Sequence, residues 1–473
     1  MSGYEAVIGL EVHVQLATAA KIFCGCSTRF GAPPNTQVCP VCTGQPGALP
    51  VLNRRAVDLA LRLALACGCT VRGRSRFARK SYFYPDLPKG YQITQHEQPL
   101  AEGGAVEIGG GARVNLTRIH LEEDAGKTIH GRSTSSVDLN RAGVPLCEIV
   151  SEPDLRRPED AAEYLRVLRG LVRALAVSDG NMEQGSLRCD ANVSLRPAGS
   201  DALGVKTEIK NLNSFRFVQR ALEHEIARQR ARLAAGGALA QETRLWDADA
   251  GVTRSMRSKE QGRDYRYFPD PDLPPLWVDG AWIARVRAAL PELPRARRAR
   301  LVAELGLSEH DADRLTRERE LADYFEATVA AGGAPGRAAR WITTELLARV
   351  PDPRAVGGAP VTPERLAGLL ALWDAGRINS GLAKRIFALM WEGGESAEAV
   401  AGREGLFQQQ DASVVEAAVR RVVAGSPELA AQYRAGRRNV LGYLVGQVMR
   451  TTRGRADPRL VNELLRRELS DQD

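Results

Sequence analysis

A change in hydrophobic periodicity near residue 280 constrains the fold of this chain more than any other feature. From residue 4 to about residue 275, strand-like alternation is mixed with a few helical runs. Beyond about residue 281, almost every apolar pattern has helical spacing. The segment 264–275, rich in Pro, Asp and aromatic residues, is the predicted linker. We therefore expect an α+β fold, in which an antiparallel or mixed sheet with flanking helices precedes an all-α part.

Three segments of the first part alternate apolar and polar residues with the period of a β-strand. They cover residues 7–16, 187–195 and 205–210, and each carries ionisable side chains on one predicted face. Helices are predicted after Asn53, from Pro158 and over residues 215–233. The polar strand faces carry Glu11, His13, Asp190, Lys206, Glu208 and Lys210.

The bulk composition is that of a globular protein, and its net charge fits a polyanionic partner without requiring one. The 473 residues are 44% hydrophobic and 26% charged, and the formal net charge is +8. The first residues lack the basic and apolar regions of a signal peptide, and no apolar run approaches the roughly 20 residues of a membrane helix. We therefore expect a cytoplasmic protein without a membrane partner.

Four of the eight cysteines form the most specific short motif. Cys24 and Cys26 make a C-x-C pair, and Cys39 and Cys42 make a C-x-x-C pair. Thiolates from two tight turns can close a tetrahedron around zinc, so the motif predicts a structural zinc site. The alternative is four reduced cysteines in a loop. Cys67 and Cys69 fit small buried side chains better than metal ligands.

Carboxylates and basic residues suggest a second site in the first part. Carboxylates held close together on sheet faces repel one another unless a cation lies between them, and oxygen ligands with an imidazole suit Mg²⁺ or Mn²⁺. A metal beside several cations is typical of a polyphosphate site, although scattered surface charges would give the same composition. The acidic set contains Glu11, His13, Glu122, Glu123, Asp124, Glu148 and Asp190, and the basic set contains Arg79, Lys80, Lys89, Arg118, Lys127, Arg141, Lys206 and Lys210.

The C-terminal segment carries a concentration of arginines around an apolar helical pattern. A basic helical module of this kind suits contacts to an RNA backbone. Aromatic clusters at residues 82–84 and 265–268 either stack on bases or pack in the protein interior. The candidate RNA-binding residues are Arg437, Arg438, Arg450, Arg453 and Arg455.

Long strings along the whole chain carry a family resemblance. They are VIGLEVHVQL from Val7, RKSYFYPDLPKGYQI from Arg79, HLEEDAGK from His120, VDLNRAGVPL from Val137, EIVSEPD from Glu148, MEQGSLRCDAN from Met182, EIKNLNSF from Glu208 and DYRYFPDPD from Asp264. Together they resemble the B subunits of the tRNA-dependent amidotransferases that act on glutamyl-tRNA(Gln) and aspartyl-tRNA(Asn).

The resemblance implies a domain order and a set of partners. It implies a catalytic cradle domain over residues 1–280 with a zinc-binding loop at about 24–42, a helical domain over 281–405, and a helical tRNA-binding tail over 406–473. The implied partners are an amidase-type A subunit that releases ammonia from glutamine, a small C subunit, and misacylated tRNA(Gln) or tRNA(Asn). Which tRNA is served, and whether a synthetase accompanies the complex, stays open.

The resemblance also implies an activity and its residues. The side-chain carboxylate of the misacylated tRNA would be phosphorylated with ATP and Mg²⁺ and then amidated by ammonia. Mg²⁺ would be held by Glu11, His13, Glu123, Glu148 and Asp190, with Glu122 as the alternative to Glu123. The catalytic residues would be Glu123, Lys80, Lys127, Lys206 and Lys210, and the mouth of an ammonia channel would involve Lys80, Lys89 and Glu123.

Two other functions are compatible with parts of the sequence. A non-catalytic tRNA-binding zinc scaffold would explain the cysteines and the basic tail, but it has no need for the acidic set. A metal-dependent nuclease would use the same acids and would hydrolyse RNA without ATP.

Overall fold

A computed structural model describes residues 3–131, 133–258, 266–408 and 412–470. The chain forms two compact units, Met1–Leu293 and Pro294–Asp473. Asp264 and Tyr265, which belong to the predicted linker and to one aromatic cluster, lie outside the described residues.

The first unit combines a large sheet with helices. Its strands are β1 (Tyr4–Gln15), β2 (Thr70–Val71), β3 (Arg74–Ser75), β4 (Ala78–Ser81), β5 (Tyr91–Thr94), β6 (Ala101–Glu102), β7 (Ala105–Glu107), β8 (Arg113–Glu123), β9 (Lys127–His130), β10 (Ser135–Asp138), β11 (Pro145–Ser151), β12 (Leu187–Pro197), β13 (Thr207–Lys210), β14 (Glu242–Asp247), β15 (Val252–Ser258), β16 (Arg266–Pro269) and β17 (Leu276–Trp277). Its helices are α1 (Arg54–Ala66), α2 (Pro158–Ala174), α3 (Phe215–Ala234) and α4 (Gly280–Ala288).

The main sheet is mixed and is built around β1. Its strand order is β15-β14-β13-β12-β1-β11-β8-β5-β4-β16, and only β13 and β14 pair in parallel along this path in the described residues. The strand predicted over residues 7–16 is confirmed as far as Gln15, where β1 ends, and the one predicted over 187–195 is confirmed as part of β12. The strand predicted over 205–210 is shorter, because pairing begins at Thr207.

Helices cover the apolar face of this sheet. Ile8, Leu10 and Val12 of β1 are almost fully buried in one core with apolar residues of α1, α2 and α3. These helices start where the sequence predicts, because Asn53 and Ser214 accept hydrogen bonds from the first turns of α1 and α3, and Pro158 begins α2. The opposite face of the sheet is left for polar side chains.

Helix α4 lies in the first unit, so the compact units divide after the boundary predicted at residue 280. The indole nitrogen of Trp282 donates a hydrogen bond to Asp58 of α1 over 2.6 Å, and the guanidinium of Arg54 lies 4.7 Å from the same ring. These contacts hold α4 against α1.

In the described residues of the second unit, the regular elements are α-helices, a π-helical turn at Ile342–Leu346 and a 3-10 helix at Pro353–Gly358. It contains one hydrophobic cluster between Leu301 and Leu406 and another between Val415 and Leu469. The α-helices are α5 (Pro294–Leu305), α6 (Glu309–Thr316), α7 (Arg319–Ala330), α8 (Pro335–Trp341), α9 (Pro363–Asp374), α10 (Ser380–Gly393), α11 (Ala397–Arg403), α12 (Ala412–Ala424), α13 (Pro427–Arg434), α14 (Val440–Thr451) and α15 (Pro458–Ser470).

The predicted α+β class, with a mixed sheet first and helices second, is confirmed. Among the residues that the structure describes, no helix has the length and apolar character needed to cross a bilayer.

Candidate functional site

Strand register places one row of ionisable side chains across the polar face of the sheet. His13 of β1 lies opposite Glu148 of β11, and Glu148 lies opposite His120 of β8. Directly opposite residues of antiparallel strands point to the same face, so these three side chains meet. Glu122 lies two residues beyond His120 on β8 and therefore points to the same face.

The distances confirm a compact cluster. His13 Nε2 lies 3.4 Å from Glu122 Oε1 and 3.7 Å from Glu148 Oε2. His120 Nε2 lies 3.1 Å from the same Glu148 oxygen and 4.0 Å from Glu122 Oε2. The Thr94 hydroxyl lies 3.3 Å from Glu122 Oε2. Glu122 and Glu148 are both buried, so little water reaches this cluster of charges.

The pKa values of the two buried carboxylates are shifted in opposite directions. Burial and the neighbouring Glu148 raise the pKa of Glu122 above its ordinary value. Burial would also raise the pKa of Glu148, but the adjacent imidazoles of His120 and His13 outweigh it and hold that pKa below its usual range. When two neighbouring carboxylates have oppositely shifted pKa values, two negative charges in their site are unfavourable unless a cation is bound there.

This donor set fits a magnesium ion. One atom each from His13, Glu122 and Glu148 lies within 4.8 Å of the others. Octahedral ligands at the roughly 2.0–2.1 Å typical of Mg²⁺ are themselves about 3 Å apart when adjacent, so small side-chain movements would bring these atoms to one ion. His120 also contributes an unsatisfied group, because its buried Nδ1 has no hydrogen-bond partner in the described chain.

The structure separates Glu123 from this cluster. As the next residue along β8, Glu123 points to the other face of the sheet, where its Oε1 accepts a hydrogen bond from the Ile93 amide at 2.8 Å. The same carboxylate forms a buried ion pair with Lys89. Of the two alternatives left open by the sequence, Glu122 therefore lies beside His13 and Glu148, and Glu123 lies beside Lys89.

The other two predicted ligands lie next to the cluster in the strand register. Glu11 is opposite Asp190 of β12 and accepts a hydrogen bond from Asn192 at 2.9 Å. Asp190 pairs with Lys210 at 2.5 Å, and Lys210 also lies 3.0 Å from Glu208. Burial would lower the pKa of Lys210, but these two carboxylates raise it above its usual range. Lys210 is therefore a fixed cation beside the polar face.

The remaining predicted lysines lie in different surroundings. Lys80 of β4 is opposite Gln92 of β5 and Tyr267 of β16, and its charge opposes the rise in the pKa of Glu122 and adds to the fall in the pKa of Glu148. Lys127 is exposed at the start of β9, and Lys206 is exposed just before β13. The structure thus brings Lys80 within electrostatic reach of the acidic cluster and does not bring Lys127 or Lys206 into contact with it.

The four predicted zinc ligands converge. One sulfur atom from each of Cys24, Cys26, Cys39 and Cys42 lies within 4.8 Å of the others. The sulfur atoms of Cys39 and Cys42 are 3.9 Å apart. A tetrahedron with Zn–S bonds of roughly 2.3 Å has sulfur–sulfur edges of about 3.8 Å, so the observed spacing fits a four-thiolate zinc site.

A fully buried lysine stands next to these sulfur atoms. Lys21 Nζ lies 3.5 Å from Cys42 Sγ and 3.4 Å from the Leu139 carbonyl oxygen. A hydrogen bond from Cys24 lowers the pKa of Cys42 to about 4, and the charge of Lys21 acts in the same direction. Four thiolates around Zn²⁺ leave an excess negative charge, which Lys21 partly offsets.

The predicted tail arginines divide into two groups. Arg437 and Arg438 are exposed between α13 and α14, and Arg450 and Arg453 are exposed at the end of α14. Arg455 is half-buried and donates a hydrogen bond to the Phe407 carbonyl oxygen at 3.2 Å. Four of the five are therefore directed to solvent, whereas Arg455 also has a structural contact.

Sequence reasoning did not select His120, Arg188 or Lys21 as site residues. His120 alternates with Glu122 at the strand period of two, which is a signal that the sequence does contain. Arg188 forms a 2.7 Å ion pair with the buried Asp124, and burial would raise the pKa of Asp124, but Arg188 and Arg141 lower it. The contacts of Arg188 and Lys21 join distant segments and have no local sequence signal.

Comparisons with known proteins agree along the chain. Residues 6–284 match the family model described as GatB/GatE catalytic domain, and residues 323–469 match the model described as GatB domain. The chain is also similar to proteins that are named as the B subunits of aspartyl/glutamyl-tRNA(Asn/Gln) amidotransferases.

Three of these relatives cover almost the whole chain. The one from Solidesulfovibrio magneticus is 54% identical over 99% of this chain and 100% of its own length. The one from Anaeromyxobacter sp. is 54% identical over 100% of both chains, and the one from Thermodesulfovibrio yellowstonii is 53% identical over 98% of both. This chain therefore belongs to the family of aspartyl/glutamyl-tRNA(Asn/Gln) amidotransferase B subunits.

Proposed function

We propose that this chain is the activating subunit of a tRNA-dependent amidotransferase, a carbon–nitrogen ligase that uses glutamine as its nitrogen donor. With ATP it phosphorylates the side-chain carboxylate of glutamyl-tRNA(Gln), aspartyl-tRNA(Asn) or both, and ammonia then replaces phosphate. Its partners are an amidase-type A subunit, a small C subunit and the misacylated tRNA. The family membership over the full chain supports this function.

The observation that carries the catalytic assignment is the cluster of His13, Glu122 and Glu148 on the polar sheet face. A scaffold that only binds tRNA gains nothing from two buried carboxylates whose mutual repulsion opposes folding. A bound Mg²⁺ would supply charge neutralisation for the phosphate oxygens of ATP. His120 holds Glu148 from the neighbouring strand, and Lys80 and Lys210 contribute positive charge at the border of the same face.

Activation is needed because a carboxylate has no adequate leaving group for attack by ammonia. A carboxylate oxygen of the aminoacyl group forms a bond to the γ-phosphorus, and ADP departs with the electrons of the broken phosphorus–oxygen bond. The nitrogen of ammonia then bonds to the acyl carbon, phosphate leaves, and a proton is lost to give the amide. The groups of the polar face position the acceptor carboxylate and the phosphates for the first step.

We assign the Lys89–Glu123 pair to the delivery of ammonia. The pair is buried on the other side of β8 from the Glu122 cluster, where a polar but water-poor passage would keep ammonia unprotonated. Lys80 lies on β4, which β5 separates from β8, and it remains a candidate for both roles. Lys127 and Lys206 are exposed at strand ends, and their catalytic role stays a prediction.

The zinc site and the tail have supporting roles in this proposal. Zinc bound by Cys24, Cys26, Cys39 and Cys42 would fix the loop that they close. The exposed tail arginines would contact tRNA phosphates without reading bases. The division into a cradle over 1–280, a helical domain over 281–405 and a tail over 406–473 is retained as a proposal.

The test is amidation by the reconstituted complex of the three subunits. Glutamyl-tRNA(Gln) and aspartyl-tRNA(Asn) are supplied separately with glutamine, with and without ATP. We expect ATP-dependent conversion of at least one of them to the amidated form, together with ADP release. Conversion without ATP, or cleavage of the tRNA without amidation, would contradict the proposal.

A further inference from the structure

The segment 24–47, which carries the four cysteines and is called the four-cysteine loop below, lies with its backbone directly against Lys89. Gly44 has a φ of +70°, and a Cβ at this position would lie 2.5 Å from Lys89 Cγ and 3.0 Å from Lys89 Cα. Real Cβ atoms essentially never come within 2.5 Å of another heavy atom, and at 3.0 Å the Lys89 backbone would also have to shift by a few tenths of an ångström, so rotation of the Lys89 side chain alone does not relieve the crowding. The loop therefore fits onto Lys89 only because residue 44 is glycine.

Gly44 is part of the turn that presents two of the cysteines. The amides of Thr43 and Gly44 donate to the carbonyl oxygens of Cys39 and Val41, and the Gln45 amide donates to Pro40 at 2.9 Å. These hydrogen bonds make residues 39–45 one compact turn. A metal ion bound by Cys39 and Cys42 would therefore fix the position of Gly44.

A cavity joins this turn to the Lys89–Glu123 pair. Its volume is about 60 Å³, and its lining includes Cys24, Cys42, Gly44, Lys89 and Glu123. A water-sized molecule needs roughly 10–15 Å³ of such space, so a few molecules the size of water or ammonia fit. One wall of this cavity is thus the cysteine loop and another is the ion pair.

We propose that the four-cysteine loop is a positioning device for Lys89, which holds the Lys89 ammonium on Glu123 through the turn 39–45. The loop and the pair then form one unit, in which loss of the metal releases Lys89. The consequence for ammonia delivery rests on the proposed function, whereas the positioning itself does not.

The direct test measures the accessibility of Lys89 in the full-length protein. The Lys89 side chain is only 9% exposed, so it should react slowly with an acylating reagent, and mass spectrometry can follow its modification. Gly44→Ala should raise the acylation rate of Lys89 by roughly fivefold, the factor that corresponds to about 1 kcal/mol of local destabilisation. Lys384, whose side chain is 59% exposed in the helical unit, serves as the internal reference.

Gly47→Ala is the matched control. Gly47 belongs to the same loop and has a φ of +84°, but a Cβ there would meet no atom within 4 Å. Both variants therefore introduce similar backbone strain, and only one of them pushes against Lys89. We expect Gly47→Ala to leave Lys89 acylation at the wild-type rate, and equal rates in the two variants would overturn the proposal.

A second measurement uses the unmodified sequence and decides the question if Gly44→Ala does not fold. Zinc-loaded and chelator-stripped wild-type protein are acylated in parallel. Faster modification of Lys89 after zinc removal, with Lys384 unchanged, supports the proposal. An unchanged rate at Lys89 overturns it.

The reconstituted complex separates this inference from the proposed function. We expect Gly44→Ala to reduce glutamine-driven amidation more than it reduces transfer of labelled γ-phosphate from ATP to misacylated tRNA, with zinc content retained. An equal loss of both activities would indicate general damage and overturn positioning of Lys89 as the cause. Absence of phosphate transfer in the wild-type complex would instead overturn the proposed function, and the acylation rates would still decide the role of the loop.

Discussion

Glu122→Gln is expected to stabilise the metal-free protein while it removes activity. The donor atoms of Glu122 and Glu148 lie within 4.8 Å of each other, and two full charges at this distance repel by about 3 kcal/mol at an effective dielectric constant of 20. Because the charges of His13, His120 and Lys80 offset part of this repulsion, we expect a gain on the order of 1 kcal/mol. This corresponds to an increase in Tm of about 1.5–2 °C for the unit Met1–Leu293.

Magnesium should reverse the order of stability. A ligand that binds only the folded state adds about 2.7 kcal/mol to the free energy of unfolding at 100 times its Kd. Wild-type protein should therefore gain stability from Mg²⁺, and Glu122→Gln should gain much less because a charged ligand has become neutral. Thermal unfolding of the zinc-loaded protein in magnesium-free buffer and over a Mg²⁺ titration measures both effects.

Glu123→Gln is the control with the same chemical change one residue away. It removes the partner of the buried Lys89 ammonium, so we expect the free energy of unfolding of the zinc-loaded protein to fall by about 3–5 kcal/mol in magnesium-free buffer. In the phosphate-transfer assay, Glu122→Gln should lower turnover by roughly 10²-fold, and Glu123→Gln should lower it less. The reasoning would be refuted if Glu122→Gln were less stable than the wild type in magnesium-free buffer, or if Mg²⁺ stabilised this variant as much as it stabilises the wild type.

Three further predictions concern other parts of the chain. Elemental analysis of chelator-washed protein should find about one zinc per chain, and Cys39→Ser should abolish it. Lys21→Met should release zinc to a chelator faster than Lys21→Arg, since only Lys21→Arg keeps the buried charge next to Cys42. Glu225→Gln should lower Tm. Burial would raise the pKa of Glu225, but hydrogen bonds from Arg228 and Gln229 outweigh it and lower that pKa, so the ionised carboxylate stabilises the folded state. This stabilisation is complete above pH 4.5 and is lost as pH falls further, so the Tm difference between variant and wild type should shrink in acid. Replacement of the exposed tail arginines Arg437, Arg438, Arg450 and Arg453 by Ala should weaken tRNA binding and reduce the slope of log K against log salt by roughly 0.9 for each duplex phosphate that is no longer neutralised. Arg455→Ala should mainly lower Tm. An unchanged slope would contradict a phosphate-binding role for the four exposed arginines.

Local patterns predicted the fold because its main elements have strong local signals. The alternation in β1 predicts a strand with Glu11 and His13 on one face, and Asn53 and Ser214 precede helices as their capping residues. The cysteine spacing predicts the convergence of four sulfur atoms because short motifs leave the turns few alternatives. Such features depend on residues close in sequence.

Contacts between distant segments were beyond the same reasoning. Nothing local to Lys21 indicates that its ammonium lies between Cys42 and the Leu139 carbonyl, and nothing local to Gly44 indicates contact with Lys89. The order β12-β1-β11-β8 decides which carboxylates meet. Periodicity predicts the face of each strand and leaves this order open.

The end of β8 shows why periodicity remains useful once the order is known. Glu122 and Glu123 are adjacent in sequence and both buried, yet one contacts the imidazole cluster and the other contacts Lys89, because successive side chains of a strand point to opposite faces. A single carboxylate cannot serve both faces without a change of register, which would also move His120 away from Glu148. In the proposed function, carboxylate activation therefore takes place on one face of β8, and ammonia approaches on the other. Glu122 and Glu123 are consecutive residues, so each of the two sites receives one of them.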